Sequence, residues 1–378
     1  MRIAFYAPLK PPDHPVPSGD RRVAQLFFEA LQLAGHQPVL ASRLRSFEGH
    51  GDQSRQAKLA GIGGRLADRA LSRWHAAPAA APKLWFTYHI YHKAPDWLGP
   101  RISTELGIPY VIAEASFAPK RAHGPWAQGH RAAEQAIRRA DAVIGLNPAD
   151  RACVLSLLVE PSRWVGIKPF VDAASFTPRS AKDGPPLRLI TAAMMRYGDK
   201  LVSYRVLGAA LANLLDLDWT LEVIGDGAAR AEVMTALAPL HSRLVLAGRL
   251  DPDTMARRLA AADLYIWPAI NEAFGMALLE AQASGLPVVA GASGGVAEIV
   301  AHQMTGLLVQ PGDPAAFAAA VRQLMTDVAL RRRYAAAARQ RVLVEHDLPA
   351  AAARLGAVID TLHAANAANR SSPPGRVR

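Results

Sequence analysis

Residues Pro268–Pro287, PAINEAFGMALLEAQASGLP, decide how the rest of the chain is read. The run before them, Leu264–Trp267, is short and apolar, as a buried strand is. A turn carrying Glu272 follows. A helical pattern then starts near Phe274 and stops at Ser284-Gly285, with Pro287 just beyond, the ordinary end of a helix. Such a helix opens with the backbone N–H groups of Phe274, Gly275 and Met276 unbonded. Gly275 allows close approach to the backbone, and the helix dipole favours an anion there. Glu280 lies one turn past Met276 on the same face. Its neighbours are Ala277, Leu278, Leu279, Ala281 and Ala283, among which an unpaired carboxylate is costly.

The same strand–loop–helix alternation extends in both directions. In the second half, strands are expected at Leu187–Thr191, Thr220–Ile224, Leu244–Ala247, Val288–Ala290 and Gly306–Val309. Ala-rich helices run from about Pro314 to Asn366, with Asp313 as their cap. In the first half, strands are expected at Arg2–Tyr6, Pro38–Ala41, Leu84–Thr87, Tyr110–Ala113 and Ala142–Gly145, with a helix from Val23 to Ala34. Strands alternating with helices imply an α/β fold with a mainly parallel sheet covered on both faces. Turn formers over 172–186 mark a linker. Expected domains are therefore 1–175 and 187–345, with a helix over 346–366 crossing back to the first domain and a disordered basic tail over 367–378. Ligands of open parallel sheets bind beyond the carboxyl ends of the strands.

Glu272 and Glu280, flanked by Phe274-Gly275 and by Ser284-Gly-Leu-Pro-Val-Val289, resemble the large retaining glycosyltransferase family 4. Arg196-Tyr-Gly-Asp-Lys200, Leu221-Glu-Val-Ile-Gly-Asp-Gly227 and Ser293-Gly-Gly-Val-Ala-Glu298 agree with it, in order, from about Leu187 to Leu343. The resemblance implies a GT-B fold, two Rossmann-like domains facing across a cleft. It further implies a nucleotide-diphosphate sugar as donor and a sugar or lipid-linked acceptor, with transfer of a hexose-type sugar to a hydroxyl and retention at the anomeric carbon. Arg196 and Lys200 match its phosphate-binding pair. Guanidinium forks and a lysine point charge suit phosphate oxygens. With the amides of residues 274–276 they would hold the departing nucleotide, so no metal or other cofactor is implied. Glu280 matches the carboxylate that accepts the ribose hydroxyls and Glu272 the one on the sugar side. The backbone over 247–250, with Gly248 and Arg249, matches the base contact.

The first half resembles the family more loosely. Gly19 stands where relatives have a Gly-rich loop facing the sugar and the diphosphate. His89, at the end of a strand, is a candidate to orient hydroxyls, with a structural role equally open. Where many relatives carry a histidine after the strand Tyr110–Ala113, this chain has Glu114, a candidate polar group of the site. Pro169-Phe170 replaces the usual Asn-Gly. Gly225 and Gly227 read as a turn rather than a dinucleotide fingerprint, and Asp251-Pro-Asp253 as a helix cap rather than a metal-binding pair.

Charge and composition set the remaining bounds. The formal charge is +11, of which residues 1–180 hold +9 and residues 181–378 hold +2. The first half is thus expected to face something anionic. The stretch Lys58–Trp74, basic with interleaved apolar residues, could contact an anionic membrane or pack on its own domain; its three glycines count against a long helix. No run is long enough for a membrane span and no signal sequence is recognisable, which makes the cytoplasm the expected address. Cys153 is the only cysteine, so no intrachain disulfide or multi-cysteine metal site can form. Among rivals, another GT-B enzyme such as a nucleotide-sugar epimerase or a phosphorylase comes first. A nucleic-acid binder leaves the Glu272/Glu280 pair without a purpose, and an NAD-linked oxidoreductase lacks its Gly-rich turn on the first strand.

Overall fold

The computed structural model describes residues 1–179 and 184–371, with side chains to residue 368. They form two compact units, Met1–Ile167 with the chain from Pro349 onward, and Lys168–Leu348.

The first unit runs β1 (Arg2–Tyr6), α1 (Gly19–Leu33), β2 (Gln37–Ser42), α2 (Gln53–Ala76), β3 (Leu84–Ile90), α3 (Gly99–Glu105), β4 (Tyr110–Ala115), α4 (Ala127–Arg139), β5 (Ala142–Gly145), α5 (Pro148–Leu155) and β6 (Trp164–Gly166). All strand pairs are parallel, in the order β2-β1-β3-β4-β5-β6. Strands covered on both faces read as continuous apolar runs, and β4 is buried throughout. The strand order reverses between β1 and β3, and a doubly wound sheet opens a ligand crevice at that point. β6 was not expected. A Cβ on Gly145 would fall 2.0 Å from the Trp164 ring, so its pairing depends on a tertiary fit that no local pattern records.

α2 corrects the expectation drawn from its glycines. It runs unbroken for 24 residues. A Cβ on Gly63 would lie 2.4 Å from Cβ of Trp97, so this glycine lets the helix sit close to its neighbour. Ala67, Leu71 and Trp74 are buried on that side, which is the packing alternative of the two considered. Among the described residues no helix is long and apolar enough to cross a membrane.

The second unit runs β7 (Leu187–Ala192), α6 (Asp199–Ala212), β8 (Trp219–Ile224), α7 (Arg230–Leu237), β9 (Leu244–Gly248), α8 (Pro252–Ala261), β10 (Leu264–Trp267), α9 (Met276–Ala283), β11 (Val288–Gly291), α10 (Val296–Ile299), β12 (Gly306–Val309), α11 (Pro314–Thr326) and α12 (Val328–Glu345). Its parallel sheet has the order β12-β11-β10-β7-β8-β9, the doubly wound arrangement with its switch point between β7 and β10. Asp251 caps α8, accepting the Thr254 N–H at 2.9 Å, as read from the sequence.

The units divide at Ile167/Lys168 rather than near 175. Ala173 is part of the second core, and the Val171 N–H donates to the His346 carbonyl at 2.9 Å. These contacts hold 168–176 to the second unit. Of the expected linker, 180–183 lie outside the described residues. The closing helix α13 (Leu348–Ser371) is helical over 367–371, where disorder was expected; residues 372–378 lie outside the described residues. Gly356 of α13 packs on Ala34, and Asn366 Nδ2 donates to the Gly107 carbonyl at 3.2 Å.

Candidate active site

Loops leaving the carboxyl ends of β7, β8, β10 and β11 pack on one another backbone to backbone. Gly225 and Gly227 have φ of 147° and 155°, and a Cβ on them would lie 2.0 Å and 2.3 Å from the carbonyl oxygens of Ala193 and Met195. They seat the β8 loop on the β7 loop, and Gly227 opens the turn that leads into α7, its carbonyl accepting the Arg230 N–H at 3.1 Å. A Cβ on Gly294 would lie 2.0 Å from the Glu272 carbonyl oxygen. The Gly295 N–H donates to the Ala273 carbonyl at 2.8 Å, and the Glu272 N–H donates to Ser293 Oγ at 2.8 Å. The loop after β10 is itself strained, with Ala269 at φ 53° and Asn271 at φ 48°. Residues held this way cost about 1–3 kcal/mol each and persist only where their surroundings enforce them. Here the Ile270 N–H donates to Ser203 Oγ at 3.1 Å and Asn271 Nδ2 to Asp199 Oδ2 at 2.9 Å, tying the loop to the first turns of α6.

This framework brings Lys200 to Glu272. Lys200 Nζ ion-pairs with Glu272 Oε2 and lies 5.3 Å from the centre of the Trp267 indole. Trp267 Nε1–H donates to the same Glu272 oxygen at 3.1 Å. The Lys200 side chain keeps 27% exposure and that of Glu272 15%, so both remain open to a ligand. Arg196 is exposed on the loop before α6 and makes no side-chain hydrogen bond or ion pair among the described residues.

The helix expected from Phe274 begins instead at Met276. Gly275 is its cap, in a left-handed conformation (φ 73°) that a helix cannot contain, and Phe274 precedes it. The N–H groups of Phe274, Gly275 and Met276 make no hydrogen bond among the described residues. Glu280 is half-buried. Burial raises the Tyr265 hydroxyl pKa, and the charges of Glu280 and Glu272 add to the rise. That hydroxyl sits on the backbone of Ala192 at 3.1 Å, which places both carboxylates near the end of β7. Gly248 (φ 68°) and exposed Arg249 end β9, on the edge of the sheet and two strands from the switch point. Trp267 and Ser293 were not singled out from the sequence. Trp267 is the last strand residue before the Glu272 loop, and that position was the available signal.

The first unit gathers titratable groups at its own switch point. His89 in β3 and Glu114 in β4 both have φ of 60°. His89 Nδ1 lies 3.2 Å from Asp20 Oδ1, at the start of α1, and Glu114 Oε1 accepts the Leu146 N–H at 2.7 Å. Burial opposes charge on His89, yet the Asp20 hydrogen bond and the charges of Asp20, Glu114 and Asp150 hold its pKa above the ordinary value. Burial pushes Glu114 up to about 7, against His89 and the N–H groups of Leu146 and Asn147. Asp150 is raised by burial too. Gly19 is exposed at the first position of α1, and a Cβ there would meet nothing within 4 Å; the fold itself does not require glycine.

A raised carboxylate pKa means that the folded state binds the extra proton. The Glu114 contribution to stability is therefore present at low pH and is lost as pH rises from 4.5 through about 7. The melting temperature of Glu114→Gln, measured relative to wild type, should rise by a few degrees between pH 5 and pH 8. A flat difference would show that Glu114 titrates normally.

Two doubly wound sheets, each with polar groups at its switch point, are the setting in which the comparisons with known proteins apply. Residues 188–327 match the family model Glycosyl transferases group 1. The group 1 match contains every second-unit site residue named above. Over 222 residues the chain is 32% identical to a D-inositol 3-phosphate glycosyltransferase of Geodermatophilus obscurus, covering 51% of this chain and 47% of that one. It is 39% identical over 127 residues to a GDP-mannose-dependent alpha-mannosyltransferase of Mycolicibacterium smegmatis, covering 33% of this chain and 32% of that one. The chain spans about half the length of the D-inositol 3-phosphate glycosyltransferases it matches. Among solved structures, a sucrose-phosphate synthase from Thermosynechococcus elongatus superposes with a TM-score of 0.73 at 22% identity, covering 97% of this chain and all (100%) of the other. Anabaena HepE in complex with UDP-glucose does so at 0.70 and 17%, covering 96% and 100%. At such identities the likeness is one of fold, and that fold is GT-B.

Proposed function

We propose that the chain is a glycosyltransferase that moves a hexose-type sugar from a nucleotide-diphosphate donor to a hydroxyl acceptor, with retention at the anomeric carbon. The observation that carries this reading is the meeting of Lys200, Glu272 and Trp267 beside the unbonded amides of residues 274–276, at the second unit's switch point. Cation, amides and two helix N-termini suit a diphosphate, and the carboxylates suit hydroxyls. On donor binding, Lys200 exchanges Glu272 for phosphate oxygens, which frees the carboxylate for the sugar. As the bond from the anomeric carbon to the diphosphate breaks, negative charge grows on the departing phosphate. Lys200, Arg196 and the amides stabilise it, with Glu272 on the side of the electron-poor carbon. Glu280 receives the ribose hydroxyls, and the backbone at Gly248 and Arg249 receives the base. No metal enters this reading. An epimerase gains no support from relatives that carry transferase names.

Thermal shift against UDP, GDP, ADP and their sugars tests it. A ligand at about 100 times its Kd stabilises by roughly 2.7 kcal/mol, so one nucleotide series should raise the melting temperature and Lys200→Ala should reduce that rise. No response to any member at millimolar levels would end the proposal.

A further inference from the structure

The basic surplus of the first half has a focus away from the residues discussed so far. Trp126, half-buried, is the residue at which α4 starts, and its Nε1–H donates to the Glu48 carbonyl at 3.3 Å. Lys93 Nζ lies 4.7 Å and the Arg121 guanidinium 5.2 Å from the centre of its ring. The His92 ring meets the indole edge-on at 5.8 Å. One turn into α4, His130 is 3% exposed, and neither of its ring nitrogens has a partner among the described residues; the same holds for His92 Nε2. Gly129 packs on the His92 carbonyl, where a Cβ would lie 2.1 Å from the oxygen, so the two histidines belong to one cluster.

Among the described residues no counter-charge meets this group. Lys93 and Arg121 make no ion pair among the described residues. Glu48, on the adjoining segment, is buried, and its carboxylate accepts the N–H groups of His50, Gly51 and Asp52 at 2.8, 2.6 and 3.1 Å. Burial lowers the His92 pKa to about 4, and Arg121, Lys93 and His130 push the same way. Exposed Lys120 and His123 flank the cluster. The Trp126 side chain does not cap the 13-residue α4, whose first turn adds the positive end of its dipole; within that turn Gln56 Oε1 accepts the Gly129 N–H at 3.3 Å. Like charges held together without a partner repel, and an anion seated among them removes that repulsion.

We propose that Lys93, Arg121 and His92, set around Trp126 at the start of α4, form a binding site for a phosphate group. Two lone cations give the charge, the unpartnered imidazole nitrogens give further hydrogen bonds, and the indole fixes where the cations stand. This inference is independent of the transfer reading, since the site lies in the first unit and its ligand can be bound without turnover.

Titration calorimetry with inorganic phosphate at low salt, on the full chain, is the direct test. Binding is expected in wild type and in Lys200→Ala, which lacks the cation proposed for the donor diphosphate. Lys93→Ala and Arg121→Ala should each weaken it roughly tenfold, with circular dichroism confirming the fold. Both side chains are partly exposed, so the fold should tolerate the changes. A second arm uses vesicles of phosphatidylglycerol and phosphatidylcholine. Binding to vesicles alone, lost in the same two variants, would identify the phosphate as a lipid headgroup's and uphold the site. Failure of both arms to depend on Lys93 and Arg121 overturns it, whatever the outcome for nucleotide binding.

Discussion

Lys200→Ala will lower the turnover number about 10²–10³-fold, the usual loss when one preorganised donor to a developing anion is removed. The geometry accounts for the size of the effect. Lys200 stands in the first turn of α6, beside the switch point of the second sheet, and its ammonium is held by Glu272 and by the face of Trp267. It is therefore already in place before the proposed donor arrives, and little reorganisation is left for the reaction step. The stability cost should be small. Glu272 keeps the Trp267 N–H at 3.1 Å and its contact with solvent without its lysine. Lys200→Arg should recover part of the lost rate, since it restores charge without the same reach. Steady-state kinetics on the two variants, with melting curves as the control, checks the expectation. A folded Lys200→Ala enzyme that turns over normally would remove Lys200 from the mechanism.

How far the sequence carried can be seen in individual residues. Strands such as Arg2–Tyr6, Ala142–Gly145 and Leu264–Trp267 were legible to the residue, because buried parallel strands are short apolar runs bounded by turn formers. β6 was not, because three residues carry no periodicity and its partner's fit to Trp164 is tertiary. The breaks among the C-terminal helices were also hidden within Ala-rich sequence. Asp327 caps α12 by accepting the Leu330 N–H at 2.8 Å, and such an aspartate between helical runs was the signal to weigh. In the second unit, the family resemblance singled out Lys200 and Glu272 as candidates but could not show that they pair with each other. Nor could it show that Gly275 is the left-handed cap rather than part of the helix. Spacing reports distance along the chain, and the backbone conformation at φ 73° depends on what packs around it. In the first unit, His89 and Glu114 were each named alone. Their proximity to Asp20 and Asp150 follows from the strand order, which sequence alone does not give.

Gly294→Ala is expected to be almost as damaging as loss of Lys200, although residue 294 carries no functional group. A methyl there would stand 2.0 Å from the Glu272 carbonyl oxygen, on a backbone with φ of 52° that L residues adopt with difficulty. The obstruction is main chain, so no side-chain rotation relieves it. Ordinary contact is restored only if the β10 and β11 loops separate by about 1 Å or more, and a displacement of that size at a reacting centre costs about 10² in rate. The neighbouring bonds would be disturbed as well, since Ser293 Oγ holds the Glu272 N–H and the Gly295 N–H holds Ala273. Gly64→Ala makes the matching control. A methyl on Gly64 meets nothing within 4 Å, and alanine inside a helix should stabilise by about 0.5–1 kcal/mol with no change in rate. Opposite outcomes from the same chemical change, a glycine gaining one methyl, would separate a glycine that shapes the site from one that does not. Full activity in folded Gly294→Ala would mean that the Glu272 loop need not be held where the structure places it, and the role given to Glu272 would fall with it.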